Sequence, residues 1–304
     1  MRNILLLLLF TGLLSCQQNK KENKEINPLL SYLEKNSKKP NDYVIDKFKN
    51  HDVIFIGENH YIKQQVEFIK NLIPDLYENG IYNLGTEFLR YSDVKLVNKL
   101  ITDSIYDEQL ARELTFKSDW AWGYKEYLDI YKEAWKLNHS LAEGKPKFKI
   151  FGIEEDMDWS YVQKEEDLEN PEIMEKVFKS SFEFEEDEGF SAYAIQKEVL
   201  NNGEKALIHC GIHHAFTSYY QPHYNPKKQE FIGSYEKERM GNLIKNKIGD
   251  RAITLFLHGP WDSNKEDNSR ALPVDGVLDS LFSIQKMIDL FHLESTQKIH
   301  HLEI

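Results

Sequence analysis

Five short apolar runs punctuate the chain, and each leads into a residue able to carry chemistry. They are Val53-Ile54-Phe55-Ile56, Ile81 to Phe88, Phe148 to Ile153, Lys205 to His209 and Ala252 to Leu257. Runs of this length and β-branched or aromatic content are the pattern of parallel strands buried on both faces. Between them the period changes to that of a helix. Val66, Ile69, Leu72, Ile73 and Leu76 share one face of a helix from His60 to Tyr77, stopped by Asn79-Gly80. Val94 to Leu114 reads as helical pieces and Trp120 to Leu137 as a strong amphipathic helix. Most of the aromatic stripe of that helix, Trp122, Tyr124, Tyr127, Tyr131 and Trp135, reads as core rather than as a cofactor box. Asn170 to Phe184, Ala192 to Leu200 and Val277 to Leu290 read as further helices. Strands alternating with helices predict an α/β fold: a mainly parallel central sheet flanked by helices, with the site at the carboxyl ends of the strands.

The N-terminus stands apart from this pattern. Arg2 and the apolar run Ile4 to Leu14 have the proportions of a secretory signal, too short for a comfortable membrane span. Leu13-Leu14-Ser15-Cys16 resembles a bacterial lipobox, which implies loss of residues 1–15 and lipidation of Cys16; an ordinary signal peptide is the alternative. Residues 16–26 read as a solvated tether. Residues 27–304 read as a single α/β domain, with the acidic stretch 159–191 as an insertion. The expected location is the cell envelope, membrane-held through the lipid, and Gln17 after Cys16 fits the outer membrane.

The net charge of −12 excludes nucleic acid as the expected partner and leaves a small molecule or peptide. Much of the acidity is local, in Glu183 to Glu188 and Glu165 to Glu169, and reads as solvated faces. With Cys16 lipidated, Cys210 is the remaining cysteine, so no internal disulfide holds the domain. It reads first as a small buried apolar residue and second as a ligand or nucleophile.

Titratable residues collect at the strand ends. Gly57-Glu58-Asn59-His60 follows the first strand and Glu87 stands at the second. Glu154, Glu155 and Asp156 follow the third; His209, His213 and His214 belong to the fourth, and His258 to the fifth. Interior strand positions are apolar for burial, so such groups gather where an open α/β sheet forms its ligand crevice. Two chemistries need this set. In one, His60, His214 and Glu87 hold a divalent metal such as zinc, manganese or cobalt and leave a position for water. In the other, a histidine deprotonates water and a glutamate orients the imidazole. His60, Glu58, Glu87 and His214 are the candidate catalytic residues in both. Glu154, His213, His258, Tyr219 and Tyr220 are candidates for contacting substrate. Plainer roles compete: His60 in the first turn of a helix, Glu58 on its dipole, Glu87 paired with Arg90, His209 structural. Of the adjacent His213 and His214, an extended backbone would turn one to the site, and His214 is the choice.

The order Val53-Ile54-Phe55-Ile56-Gly57-Glu58-Asn59-His60, Gly85-Thr86-Glu87, Gly211-Ile212-His213-His214-Ala215 resembles a known superfamily. It is that of erythromycin esterases, ChaN-like haem-binding lipoproteins and Tiki-type proteases, and the resemblance covers roughly Asp52 to His258. It implies an α/β fold with His60, Glu58, Glu87 and His214 lining the site. The activity it implies differs between members. Erythromycin esterases are similar to the metal-free reading and Tiki-type proteins to the metal reading. ChaN-like proteins bind haem and share the lipoprotein anchor. In that last case Tyr219, Tyr220 and His223 would be candidates for haem iron; otherwise they line a pocket.

Overall fold

The computed structural model describes residues 28–33, 35–118, 123–178, 188–225, 230–259, 261–262, 270–271, 276–277 and 279–281. The signal segment, the tether, Cys16, Glu183 to Asp187 and most of the expected last helix lie outside the described residues. For residues 221–225 and 230–237 the structure describes backbone alone. The chain divides into two compact units. One spans Pro40–Leu257; the other gathers the residues through Lys39 and from His258 onward.

The larger unit is an α/β fold. Its elements are α1 (Pro40–Lys47), β1 (Val53–Glu58), α2 (Lys63–Glu78), β2 (Asn83–Arg90), α3 (Val94–Leu100), α4 (Glu108–Ser118), α5 (Lys125–Ser140) and β3 (Lys149–Glu154). There follow α6 (Pro171–Val177), α7 (Gly189–Glu198), β4 (Ala206–Gly211), β5 (Gln221–Asn225), β6 (Glu230–Lys237), α8 (Met240–Ile248) and β7 (Ala252–Phe256). Five strands form one sheet in the order β3-β2-β4-β1-β7, every pairing parallel. β5 and β6 make a separate antiparallel pair, which the apolar pattern did not announce.

Burial explains the continuous apolar runs. Side chains of a strand alternate between faces, and here both faces are covered. Ile54, Ile56, Leu84, Phe88, Ile150 and Leu207 pack with α2 through α5 on one face. Val53, Phe55, Phe151, Ile153, Ile208 and Cys210 pack with α7 and α8 on the other. β1 and β2, consecutive in sequence, are not neighbours: β4 lies between them, paired to β1 through Val53–Glu58 and to β2 through Asn83–Thr86 alone. Beyond Thr86, β2 leaves β4, and its register against β3 shifts before Arg90. The gap that opens there, at the carboxyl ends of β2, β3 and β4, positions the site.

The smaller unit contributes a two-stranded antiparallel pair of Trp261–Asp262 with Arg270–Ala271. In it the exposed His258 lies 3.1 Å from Asp279.

Candidate functional site

Glu58 is the last residue of β1 and is buried to 1% exposure. Three donors converge on its carboxylate. His60 Nδ1 lies 3.0 Å from Oε1, the Tyr127 hydroxyl of α5 donates to Oε1 at 2.5 Å, and His209 Nε2 lies 2.6 Å from Oε2. Burial by itself would raise the Glu58 pKa. The charge and hydrogen bond of His209, with the bonds from His60 and Tyr127, outweigh it and hold the carboxyl at about 2. An ionised carboxylate only accepts, so His60 must carry its proton on Nδ1 and His209 on Nε2.

His60 is not the helix cap. Ile62 takes the N-cap position and α2 begins at Lys63, three residues later than the spacing suggested. The imidazole instead lies over Gly211 at the end of β4. A Cβ at that glycine would stand 2.8 Å from both Cε1 and Nε2 of His60 and 3.4 Å from Glu87 Oε2. The missing side chain is therefore what lets the two Gly-x-x-His loops meet. Gly57 does the same on the other side, where a Cβ would stand 2.8 Å from the Ile212 backbone.

Glu87 sits inside β2 in the stretch where the register shifts, a local irregularity of the kind that re-aims a side chain. Its Oε2 accepts from the Gly211 amide at 2.6 Å, and its Oε1 lies 3.5 Å from His214 Nε2. The alternative pairing with Arg90 is not formed: Arg90 meets Asp93 at 2.8 Å and Asp156 at 3.4 Å. After Gly211 the chain turns, with the His214 amide donating to the Gly211 carbonyl at 3.0 Å, rather than staying extended. His214 is brought to the site by that turn. His213 is exposed and meets the ring of Phe216 edge-on.

His214 Nδ1 lies 3.0 Å from Glu188, which also takes a 2.6 Å bond from Arg239 and a 2.8 Å bond from the Met240 amide at the start of α8. Burial works to lower the His214 pKa, but the bond to Glu188 and the charges of Glu87 and Glu188 raise it to about 9. Burial likewise opposes ionisation of Glu188, and its bonds to His214, Met240 and Arg239 bring it to about 2. Glu154 is the counterexample. Burial, then the charges of Glu87 and Glu155, push it up to about 8 against the pull of His214.

Glu87, Glu154, Glu155, Glu188, Cys210 and His214 line one cavity of about 180 Å³. Cys210 is fully buried, and burial followed by the surrounding carboxylates keeps its thiol protonated. Tyr219 is exposed, while the Tyr220 hydroxyl bonds Asn246 at 3.3 Å; the His223 side chain lies outside the described residues. Among the described residues no group of three or more His, Cys, Asp or Glu side chains is placed to hold a metal ion. His214 faces carboxylates through both nitrogens.

Tyr127, His209, Glu188 and Arg239 were missed as site residues. Tyr127 had a signal: a tyrosine on the buried stripe of a helix needs a partner for its hydroxyl. Glu188 was submerged in an acidic run, and Arg239 carried no signal.

Residues 44–142, about a third of the chain, match the family described as haem-binding uptake, Tiki superfamily, ChaN. That stretch is similar to the ChaN-like, Tiki-type superfamily. The matched stretch holds Glu58, His60, Glu87 and Tyr127. No curated protein matches it. Among solved structures, ChaN of Campylobacter jejuni, which binds haem cofacially, is similar at 17% identity and a TM-score of 0.39, over 75% of this chain and 89% of that one. A Bacillus cereus protein is similar at 12% identity and a TM-score of 0.45, over 82% and 79%. The C-terminal region of Pasteurella multocida toxin, which has a thiol-protease-like catalytic triad, is similar at 10% identity and a TM-score of 0.43. That likeness covers 77% of this chain and 26% of the toxin structure, so this chain spans about a quarter of it. All three TM-scores lie below 0.5, and none carries an argument about activity.

Proposed function

We propose that this ChaN-like chain is a hydrolase of the cell envelope, anchored through a lipid on Cys16, that activates water for attack on an ester, lactone or amide bond. One observation carries the reading: His60 is held by the ionised Glu58 as the Nδ1–H tautomer, with its Nε2 edge on the side of Gly211 and Glu87. Nε2 of that tautomer bears the lone pair, so it takes a proton from water, and Glu58 stabilises the imidazolium that forms. Glu87, fixed by the Gly211 amide, orients the water. The His214 imidazolium supplies positive charge for the oxyanion that develops on the substrate carbonyl. Glu154, protonated at neutral pH, is the acid for the leaving group. Water activation by His60 thus needs no metal. A panel of ester, lactone and amide substrates tests it: His60→Ala and Glu87→Gln should abolish turnover with little change in Tm. Undiminished turnover in both variants refutes it.

The family description favours a second reading, haem binding. The acid-lined cavity does not fit the group. Its roughly 180 Å³ falls short of the ~300–1,000 Å³ of pockets for drug-sized ligands, and its carboxylates oppose anionic propionates. Haem would have to sit elsewhere, against a surface such as the exposed Tyr219. A Soret shift on titration with haemin, lost in Tyr219→Phe, supports that reading; an unchanged spectrum at one equivalent removes it.

A further inference from the structure

His209 occupies a place where a histidine is costly. It lies in the central strand β4, fully buried, beside the rings of Phe88 at 5.0 Å and Tyr127 at 6.2 Å. Its Nδ1 is buried with no hydrogen-bond partner among the described residues. An apolar side chain of similar shape would suit the core better, since a buried polar atom left unpaired is destabilising. Packing therefore does not account for the residue. Its one polar contact among the described residues does: Nε2 lies 2.6 Å from Glu58 Oε2.

The three donors on Glu58 are unequally divided. His60 and Tyr127 share Oε1, and His209 holds Oε2. A carboxylate fixed at one oxygen can still swing about it; fixed at both, it cannot. We propose that His209 is a positioning residue for His60: by pinning Glu58 Oε2 it keeps Oε1 on His60 Nδ1 and so fixes the tautomer whose Nε2 faces the site. His209 touches no reacting atom in this scheme. The inference rests on the reading of His60 as the base, but its test does not.

The test is the imidazole ¹⁵N–¹H spectrum of the ¹⁵N-labelled chain without substrate. In the wild type His60 should show the Nδ1–H tautomer. In His209→Phe, which removes both the bond and the orphaned nitrogen, it should become a mixture of tautomers while the protein stays folded. His209→Gln keeps an N–H donor and should restore Nδ1–H. Should the phenylalanine variant not fold, His209→Met, which adapts to irregular spaces, repeats the comparison. A His60 tautomer unchanged in the Phe or Met variant overturns the proposal, as does a Gln variant that shifts as far as Phe. Once a turned-over substrate is in hand, kcat should fall ~10- to 100-fold with KM little changed, the usual scale for losing a partner that orients a functional histidine. Absence of any hydrolysis would sink the hydrolase reading and leave the tautomer result standing or falling by itself.

Discussion

Replacing Gly211 by alanine separates the geometry of the site from the stability of the fold. The backbone of Gly211 lies outside the left-handed region, so alanine meets no conformational obstacle. The obstacle is the imidazole of His60, 2.8 Å from the new Cβ. Carbon atoms pack best at ~3.5–4.0 Å, so the ring must retreat by about 0.7–1.2 Å. It has somewhere to go, because the His60 side chain is 31% exposed. Retreat breaks or lengthens the bond to Glu58. A hydrogen bond to a charged group contributes ~1.5–3 kcal/mol when well shielded, less when one partner is partly in water. Against that loss, alanine in place of glycine returns ~0.5–1 kcal/mol of unfolded-chain entropy. The net cost is about 1 kcal/mol, a shift of ~2–4 °C in Tm for a unit of this size.

Activity should respond on a different scale. A misplacement of about 1 Å at a catalytic group can cost ~100-fold in rate. Gly211→Ala should therefore lose about two orders of magnitude in kcat on any substrate that His60 serves, with Tm nearly kept. Thermal unfolding and steady-state kinetics on the same preparation make the comparison. Full turnover in the variant would refute the placement of His60 over Gly211. So would a Tm fallen by more than 10 °C with the His60 resonance unmoved, since the strain would then lie in β4 itself.

Three further outcomes follow from the charges around the cavity. Glu188→Gln should bring the titration midpoint of His214 down from about 9, read by NMR; the stability His214 contributes is fully present below its ordinary 6.5 and is lost as pH rises through 9, and that loss should shrink in the variant, where the charge of Glu87 alone still raises it. Glu154 also has a raised folded pKa, so its contribution is present below 4.5 and lost as pH rises through about 8; Glu154→Gln should leave stability near pH 5 almost unchanged and raise it by on the order of a few kcal/mol at pH 9, by denaturant unfolding at both pH values. Cys210 should resist thiol reagents at pH 8 in the native protein and react fully once unfolded, because burial and the surrounding carboxylates keep it a thiol; rapid native labelling would contradict the burial of Cys210.

The strands were legible because a parallel strand buried on both faces leaves no polar alternation, as Val53 to Ile56 and Ala206 to Ile208 show. Their order was not. Nothing in the spacing of β1, α2 and β2 reports that β4 will return to lie between the two strands. That insertion sets Glu58 beside His209 and Gly211 beside Glu87, so it decides which strand-end residues meet. Glu58, His60, Glu87 and His214 were visible as polar residues interrupting apolar runs. Their partners were not, because each sits where its residue type is unremarkable: Tyr127 on an aromatic helix face, Glu188 at the edge of an acidic run, His209 within a strand.

The difference between the two groups is physical. A residue that must face a ligand breaks the local pattern of its own element and announces itself. A residue that orients it need only point at the right neighbour, and that neighbour is distant in sequence: 151 positions separate Glu58 from His209 and 69 separate it from Tyr127. Such partners become visible through a cost. His209 bears in the core a nitrogen with no partner among the described residues, and Tyr127 buries a hydroxyl against a carboxylate that burial would otherwise neutralise. On the proposed role of His60 as the base, a core that tolerates both in order to hold one carboxylate ionised, with its two oxygens fixed, is organised around His60 rather than around its own stability.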